Sequence, residues 1–157
     1  MAVLHLMVGL PGSGKTTRAI QLAAETGALR LTPDEWQTRL FGNDMHHPDH
    51  ERRHDEVEAL MWEIAAALLP RGADVILDFG FWSRTERAEF ARRAQSLGAE
   101  CRIDYQPVTM DELERRIKVR NGKTDAGHYV IPLPLLQQWA GLFEPPDTDE
   151  LSGYLNG

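Results

Sequence analysis

The sequence lacks the features that mark several large classes of protein. It has a single cysteine, Cys101, among 157 residues, which excludes an intrachain disulfide and a cysteine-rich zinc site. Its apolar runs are far shorter than the roughly 20 residues that cross a bilayer, and a signal-peptide pattern is missing at the N-terminus. With a formal net charge of −7, the chain also lacks the basic surface that binds long duplex nucleic acid. We therefore expect a single cytoplasmic domain over residues 1–157, with no membrane partner.

Short apolar strands and amphipathic helices alternate along the chain. Nearly continuous apolar runs predict strands, and apolar residues that repeat every three or four positions predict helices. Parallel strands need long crossover connections, so this alternation predicts an α/β fold in which helices cover both faces of a four- or five-stranded parallel sheet. The predicted strands are residues 3–8, 28–31, 74–78 and 101–105. The predicted helices include residues 16–26, 57–68, 84–97, 110–120 and 132–143, and the acidic, proline-containing residues 144–157 predict a loosely ordered tail.

Residues 9–16, with the sequence GLPGSGKT, match the phosphate-binding pattern G-x-x-x-x-G-K-S/T in full. The pattern lies after a predicted buried strand and before a predicted helix, which is the setting that its mechanism requires. Gly12 and Gly14 have no Cβ, so backbone N–H groups can turn toward a phosphate, and the helix N-terminus adds the positive end of its dipole. Lys15 is expected to contact the β- and γ-phosphates, and the Thr16 hydroxyl is expected to coordinate magnesium. The loop therefore predicts binding of a nucleoside triphosphate, most simply ATP with Mg²⁺.

Two aspartates follow the second and third predicted strands, at the edge where a parallel sheet places its ligand. Asp34 is expected to accept the proton of a hydroxyl that attacks the γ-phosphate, although it could instead cap the helix that begins near Glu35. Asp78 is expected to hold magnesium directly or through water, and the alternative is a purely structural role. Together with the loop, the two aspartates predict a site for phosphoryl transfer.

These segments resemble a family, the small P-loop kinases that include phage polynucleotide 5′-hydroxyl kinase, chloramphenicol phosphotransferase and the zeta toxins. GLPGSGKTT resembles the phosphate loop of that family, LTPDEW the segment with its catalytic aspartate, and ILDFGFWSRTER its third strand and following helix. RIKVRNGK followed by IPLPLL is similar to the polynucleotide kinase lid. The resemblance implies a P-loop NTPase three-layer sandwich with a short helical lid at about residues 116–131, and it implies that Asp34 is the general base. The nucleotide-binding residues that it implies are Gly12, Ser13, Gly14, Lys15, Thr16, Thr17, Arg116 and Arg120.

The sequence departs from the polynucleotide kinases in two places. Gln37 stands where those enzymes have an arginine that grips the substrate phosphate, and Arg39 lies two residues further on. In the lid, Lys123 and Thr124 stand where a second arginine is expected. These differences favour an acceptor other than a polynucleotide.

Four further residues near the two aspartates are candidates for binding an acceptor. Trp36 and Trp82 could form aromatic walls of an acceptor pocket or belong to the core. Arg39 and Arg84 could contact the substrate, and pairing with acidic residues of its own helix is the alternative for Arg84. We therefore predict these four residues as acceptor-binding.

Four histidines, His46, His47, His50 and His54, lie within nine residues. They could bind a metal, contact the acceptor or face solvent, and all three roles stay open at this point. The charged run at residues 51–58 is typical of a solvated helix face.

The combined prediction is an ATP-dependent kinase that transfers the γ-phosphate of Mg-ATP to a hydroxyl group of a small molecule. Lys15 and magnesium would stabilise charge, and Asp34 would act as the base. One alternative is a kinase that acts on a polynucleotide or a nucleotide sugar. Another, of a different class, is an ATP-binding switch or ATPase that acts through a protein partner.

Overall fold

The computed structural model, which describes residues 1–123 and 129–155, has one sheet of four strands. Neighbouring strands are parallel throughout, and their order across the sheet is second, third, first, fourth. The predicted α/β fold with a parallel sheet is thereby confirmed, with four strands in the described residues. Residues 124–128 of the predicted lid, including Thr124, and residues 156–157 of the predicted tail lie outside them. The strands are β1 (Val3–Val8), β2 (Leu29–Leu31), β3 (Val75–Gly80) and β4 (Glu100–Tyr105).

Seven α-helices connect and flank these strands in the described ranges. None of these helices has both the length and the apolar content that a membrane crossing requires. The helices are α1 (Lys15–Thr26), α2 (Pro33–Phe41), α3 (His50–Leu68), α4 (Arg84–Ser96), α5 (Met110–Asn121), α6 (Leu133–Leu142) and α7 (Thr148–Leu155).

The side chains of β1 alternate between the two faces of the sheet, because successive strand residues point in opposite directions. Leu4 and Leu6 belong to the larger core, which includes Met61 of α3 and residues of α4. Met7 packs on the other face with Ala19 of α1. Both faces are therefore buried, which explains why β1 is a continuous apolar run, and helices on both sides complete a three-layer sandwich.

A third apolar cluster joins α5 to α6 next to the end of β1. In this cluster, Leu113 and Ile117 of α5 pack with Leu136 of α6. Asn121 links the segments further, since its amide donates a 2.7 Å hydrogen bond to the carbonyl of Ile131 and its Oδ1 accepts one of 2.9 Å from the Ile131 N–H. These contacts fix the position of α5, whose Arg116 and Arg120 line a cavity together with the glycine-rich loop.

The C-terminal segment contains a helix that the sequence analysis does not predict. The predicted loosely ordered tail covers residues 144–157, and in the described part of this range α7 forms and contacts β4. Glu150 of α7 is buried and pairs with Arg87 of α4. The N–H of Glu144 also donates a 2.8 Å hydrogen bond to the carbonyl of Trp82. The sequence analysis did not predict this ion pair, because the partner of Glu150 lies 63 residues earlier in the chain.

Candidate active site

The glycine-rich loop leaves the first turn of α1 open to a phosphate. Gly14 is the N-cap residue of α1, with a φ of 90°, and no described side chain caps this helix. Gly12 has a φ of 86°, and a Cβ there would lie 3.1 Å from Cδ1 of Ile117. A larger residue at this position would therefore be both strained and crowded. The free N–H groups of a helix N-terminus form an anion-binding site.

A cavity of about 670 Å³ opens over this loop, and we call it the donor cavity. Its lining includes every residue predicted to bind the nucleotide, namely residues 12–17 of the loop and Arg116 and Arg120 of α5. Nη1 of Arg116 donates a 3.2 Å hydrogen bond to the carbonyl of Gly12, which ties α5 to the loop. The hydroxyl of Ser13 is buried and has no hydrogen-bond partner among the described residues. The structure thus brings the predicted nucleotide-binding residues together around one space.

Asp78 is buried beneath the loop and joins three side chains. Its Oδ1 lies 3.3 Å from Nζ of Lys15. Its Oδ2 accepts hydrogen bonds of 2.7 Å from the hydroxyl of Thr16 and 3.0 Å from the hydroxyl of Thr32. Asp78 therefore has a structural role, and it also lies where it can orient a ligand of a metal ion.

The donor groups at this position suit magnesium. Mg²⁺ prefers oxygen ligands and usually binds one or two protein groups together with substrate phosphates and water. The hydroxyl of Thr16 donates its proton to Asp78, so its oxygen lone pairs are free for a cation. In the described residues, no group of three or more His, Cys, Asp or Glu side chains could hold a metal by itself. The residues Thr16 and Asp78 therefore fit a magnesium ion that arrives with a nucleotide.

Asp34 lies in the first turn of α2 and does not cap this helix. The N-cap residue is Thr32, and Pro33 occupies the first helical position, where its missing N–H costs nothing. The helix thus begins two residues earlier than the capping alternative for Asp34 requires. The half-buried carboxylate of Asp34 instead borders the donor cavity.

A second cavity, of about 310 Å³, adjoins the donor cavity, and we call it the acceptor cavity. Pro11, Lys15, Asp34 and Arg120 border both spaces. A phosphoryl group in one cavity and a molecule in the other would therefore meet at a carboxylate and two cations. The aromatic residues of the acceptor cavity are Phe79, Phe81, Trp82, Tyr129 and Trp139, and its acidic residues apart from Asp34 are Glu51, Glu58 and Glu86.

Arg120 has unused hydrogen-bonding capacity at this junction. Its Nε is buried and has no hydrogen-bond partner among the described residues. Burial lowers the pKa of its guanidinium, and the negative charge of Asp34 partly offsets this effect. Arg116 differs, because its Nε donates a 2.9 Å hydrogen bond to Glu112. Arg120 is therefore better placed than Arg116 to bind a group that arrives at the junction.

Of the residues predicted to bind the acceptor, only Trp82 borders the acceptor cavity in the described structure. Its indole donates a 3.2 Å hydrogen bond to the carbonyl of Gly9 in the loop. Trp36 and Arg39 are exposed and are not among the described lining residues of either cavity. With about 100° per residue, they lie about 200° and 140° around α2 from Asp34, on its opposite side. Arg84 pairs with Asp147, which lies just before α7.

Gln37 is completely buried and organises a polar network that sequence reasoning missed. Its amide nitrogen lies 3.3 Å from Oδ2 of Asp44 and donates a 3.0 Å hydrogen bond to the carbonyl of His50. Its Oε1 lies 3.1 Å from Nδ1 of His54. The sequence offered one signal for this network, which is glutamine at a position where the polynucleotide kinases have arginine. Glutamine can both donate and accept hydrogen bonds, and this suits a buried polar network.

The four histidines divide into two pairs. His50 and His54 border the acceptor cavity, where Nδ1 of His50 lies 2.8 Å from Oδ1 of Asp44. His46 is exposed, and Nδ1 of His47 accepts a 3.0 Å hydrogen bond from the N–H of Asp49. The structure thus supports contact with an acceptor for His50 and His54 only.

The sequence matches the AAA domain family over residues 4–146. The chain belongs to this family. A search of curated proteins finds no significant match for this AAA domain.

Several solved structures share the fold of the AAA domain. A chain of the Pnkp1/Rnl/Hen1 RNA repair complex has a TM-score of 0.72 and 21% identity over 90% of this chain. The match covers 43% of that chain, so the AAA domain spans less than half of its length. A gluconokinase from Sinorhizobium meliloti 1021 has a TM-score of 0.54 and 20% identity, over 96% of this chain and 78% of the other. Chaetomium thermophilum Kti12 in complex with ADP-AlF3 has a TM-score of 0.60 and 20% identity, over 92% and 81%. These likenesses confirm the predicted P-loop kinase fold.

Proposed function

We propose that this AAA domain is an ATP-dependent kinase that transfers the γ-phosphate of Mg-ATP to a hydroxyl group of a small molecule. The observation that carries the proposal is the junction of the two cavities, where Asp34, Lys15 and Arg120 border both spaces. Transfer between two bound molecules needs an acceptor for the hydroxyl proton and positive charge around the moving phosphoryl group. The junction supplies both.

Each residue of the junction has a distinct chemical role. Loop N–H groups and Lys15 bind the β- and γ-phosphates in the donor cavity. The acceptor oxygen attacks the γ-phosphorus, the bond from phosphorus to the leaving oxygen of ADP breaks, and Asp34 takes the hydroxyl proton. Arg120 donates hydrogen bonds to the oxygens of the transferring group. When bound, magnesium would neutralise phosphate charge, and Thr16 and Asp78 would hold it.

A polynucleotide or nucleotide-sugar kinase is the alternative within the same chemistry. The fold of a chain from an RNA repair complex favours it, whereas a gluconokinase of the same fold favours a small acceptor. Gln37 is fully buried in the network with Asp44, so it is not available to grip a substrate phosphate. The acidic residues of the acceptor cavity would also repel an anionic acceptor. Both observations favour a small acceptor that is not an anion.

An ATP-binding switch is the alternative of another class. Kti12, solved with ADP-AlF3, shares the fold. A switch that hydrolyses ATP needs only water beside the γ-phosphate, whereas the aromatic and polar lining of the acceptor cavity suits a larger molecule. Hydrolysis that depends on a protein partner, without transfer to any hydroxyl compound, would favour the switch.

Transfer of label from γ-labelled ATP to a panel of hydroxyl compounds tests the proposal. Asp34→Asn should lower kcat by about 10²- to 10⁴-fold, as expected for loss of a general base, and leave KM for ATP nearly unchanged. Asp111→Asn is the matched control, because Asp111 is exposed and also occupies the second position of its helix. Transfer by Asp34→Asn at the native rate would contradict the role of Asp34. Release of labelled inorganic phosphate, with no label in any hydroxyl compound, would contradict the kinase function.

A further inference from the structure

Charge is distributed unevenly around the acceptor cavity. Its two strong cations, Lys15 and Arg120, lie where it meets the donor cavity. Three carboxylates border only the acceptor cavity, with Glu51 and Glu58 on α3 and Glu86 on α4. The part of the cavity away from the phosphate loop is therefore acidic.

Glu86 has no counter-charge in direct contact within the described residues. Its backbone N–H is bonded to the N-cap residue of α4, but no described group donates a hydrogen bond to its carboxylate. The nearby arginines form ion pairs with other acids. Arg87 pairs with the buried Glu150 of α7, and Arg93 pairs with Glu89 of α4. The Glu86 carboxylate is thus open to a ligand.

The carboxylates of Glu58 on α3 and Glu86 on α4 repel one another. Burial raises the pKa of Glu86, and the negative charge of Glu58 raises it further. The positive charges of Arg87, His54 and Arg93 only partly offset these two effects on the pKa. Glu58 has a partial partner, because its Oε2 lies 3.4 Å from Nε2 of His54. A cation bound between these carboxylates would offset both the burial and the mutual repulsion.

The walls of the cavity suit an organic cation better than a metal ion. Phe81, Trp82 and Trp139 line the cavity, and the ring centroids of the two tryptophans lie 5.6 Å apart. Aromatic faces attract organic cations and pack against apolar carbon atoms. The described residues also contain no metal-binding group of acids and histidines.

We propose that the acceptor is a small amino alcohol whose hydroxyl lies at Asp34 and whose protonated amine faces Glu58 and Glu86. This inference rests on the proposed kinase function and names the substrate class of that site. The hydroxyl belongs at Asp34 because this carboxylate borders both cavities. The product is the phosphate ester of the amino alcohol, with ADP as the leaving group and the hydroxyl proton on Asp34.

Acceptors that are matched in shape but differ in charge test this inference. One scaffold is tested as glucosamine and N-acetylglucosamine, and another as phenylethanolamine, its N-acetyl derivative and mandelate. Transfer from γ-labelled ATP is measured with the full chain. The amines should have kcat/KM values at least about tenfold above those of the matched amides and carboxylates, as one charge-assisted contact predicts.

The variant Glu86→Gln shows whether the preference arises at the proposed contact. It should lower the ratio of kcat/KM for the amines to kcat/KM for the matched amides by about tenfold. Glu89→Gln, a partly exposed position on the same helix, should not change this ratio. Transfer to amides or carboxylates as good as that to amines, or an unchanged preference in Glu86→Gln, overturns the inference and leaves the kinase function standing. If no compound in either set takes label, the inference is rejected, and the wider hydroxyl panel decides the kinase function separately.

Discussion

Arg87 of α4 and Glu150 of α7 form an ion pair whose side chains are 0% and 2% exposed. Nε of Arg87 donates to Oε1 at 2.5 Å and Nη2 to Oε2 at 3.1 Å, while Nη1 donates a 2.7 Å hydrogen bond to the carbonyl of Phe81. Phe81 borders the acceptor cavity and is the single non-glycine residue of the described chain with a positive φ, at 45°. The C-terminal helix thus supports a strained wall of the acceptor cavity through Arg87.

Glu150→Gln should reduce both stability and acceptor binding. The variant leaves Arg87 buried without its counter-charge, so the free energy of unfolding should fall by about 3–5 kcal/mol. The KM for the acceptor should rise more than the KM for ATP, because Phe81 borders the acceptor cavity and not the donor cavity. Urea unfolding and steady-state kinetics measure the two effects.

Asp147→Asn provides the control for Glu150→Gln. Asp147 forms an exposed ion pair with Arg84, and its Oδ1 accepts a 2.7 Å hydrogen bond from the N–H of Glu150. Asparagine can still accept that hydrogen bond, so stability should change little. Equal losses in the two variants would show that the buried pair has no special role.

The strands and the phosphate loop could be predicted because their signals are local. The apolar run at residues 3–8 predicts β1 with the bounds observed, and the loop motif is contiguous in sequence. The pair Arg87 and Glu150 could not be predicted, because 63 residues separate the partners and neither has a distinctive local pattern. Acidic composition near the C-terminus therefore predicted a loosely ordered tail where Glu150 is buried against Arg87.

The acceptor cavity was predicted poorly because its residues come from separate segments. Glu58 lies in a run that is typical of a solvated face, yet α3 turns this side chain toward the cavity. Trp36 is close to Asp34 in sequence, but the helical rotation of α2 directs it away from both cavities. Proximity to the two aspartates in sequence correctly indicated Trp82 as a lining residue and failed for Trp36 and Arg39.

Arg120→Ala should lower kcat far more than it weakens ATP binding. Arg116 and the loop still bind the nucleotide, whereas the charge on the transferring phosphoryl group loses a donor. By analogy with other arginines that act on this group, kcat should fall by about a thousandfold. Single-turnover kinetics and nucleotide titration separate the two effects. Lys118→Ala, at an exposed position of the same helix, should leave both unchanged, and a native kcat in Arg120→Ala would exclude this role.

Asp78→Asn should raise the magnesium concentration needed for half-maximal activity by about 10- to 100-fold, as is typical when a partner of a metal ligand is lost. If the amide oxygen accepts from Thr16 and Thr32, an NH₂ group replaces the negative oxygen that faces Nζ of Lys15, and the charge that favours a bound cation is lost. Initial rates over a MgCl₂ titration give the measurement. Asp74→Asn at the other end of β3 keeps an acceptor for the N–H of Val3 and should not shift the titration. Identical curves for the native chain and Asp78→Asn would refute the magnesium role.

Asp44 makes the stability of the network around Gln37 depend on pH in the acidic range. Burial alone would raise the pKa of Asp44, but hydrogen bonds from His50, Arg53 and Gln37 lower it from 3.8 to about 2. The hydroxyl of Tyr129 also faces this carboxylate, at 3.5 Å. A folded-state pKa below the unfolded one means that the ionised carboxylate stabilises the fold above about pH 4 and that this contribution is lost as the pH falls toward about 2.

Asp44→Asn should therefore lower the stability of the chain at neutral pH and flatten its loss in acid. Urea midpoints measured from about pH 7 down to about pH 2.5 should fall less steeply with pH in the variant than in the native chain, because the variant has no proton to take up at this position. Asp55→Asn, at an exposed position of α3, should keep the native slope. The KM for the acceptor should also rise in Asp44→Asn, since His50 contacts Asp44 and borders the acceptor cavity. Parallel acid profiles for the native chain and Asp44→Asn would show that hydrogen bonds from His50, Arg53 and Gln37 do not lower the pKa of Asp44 in the folded chain.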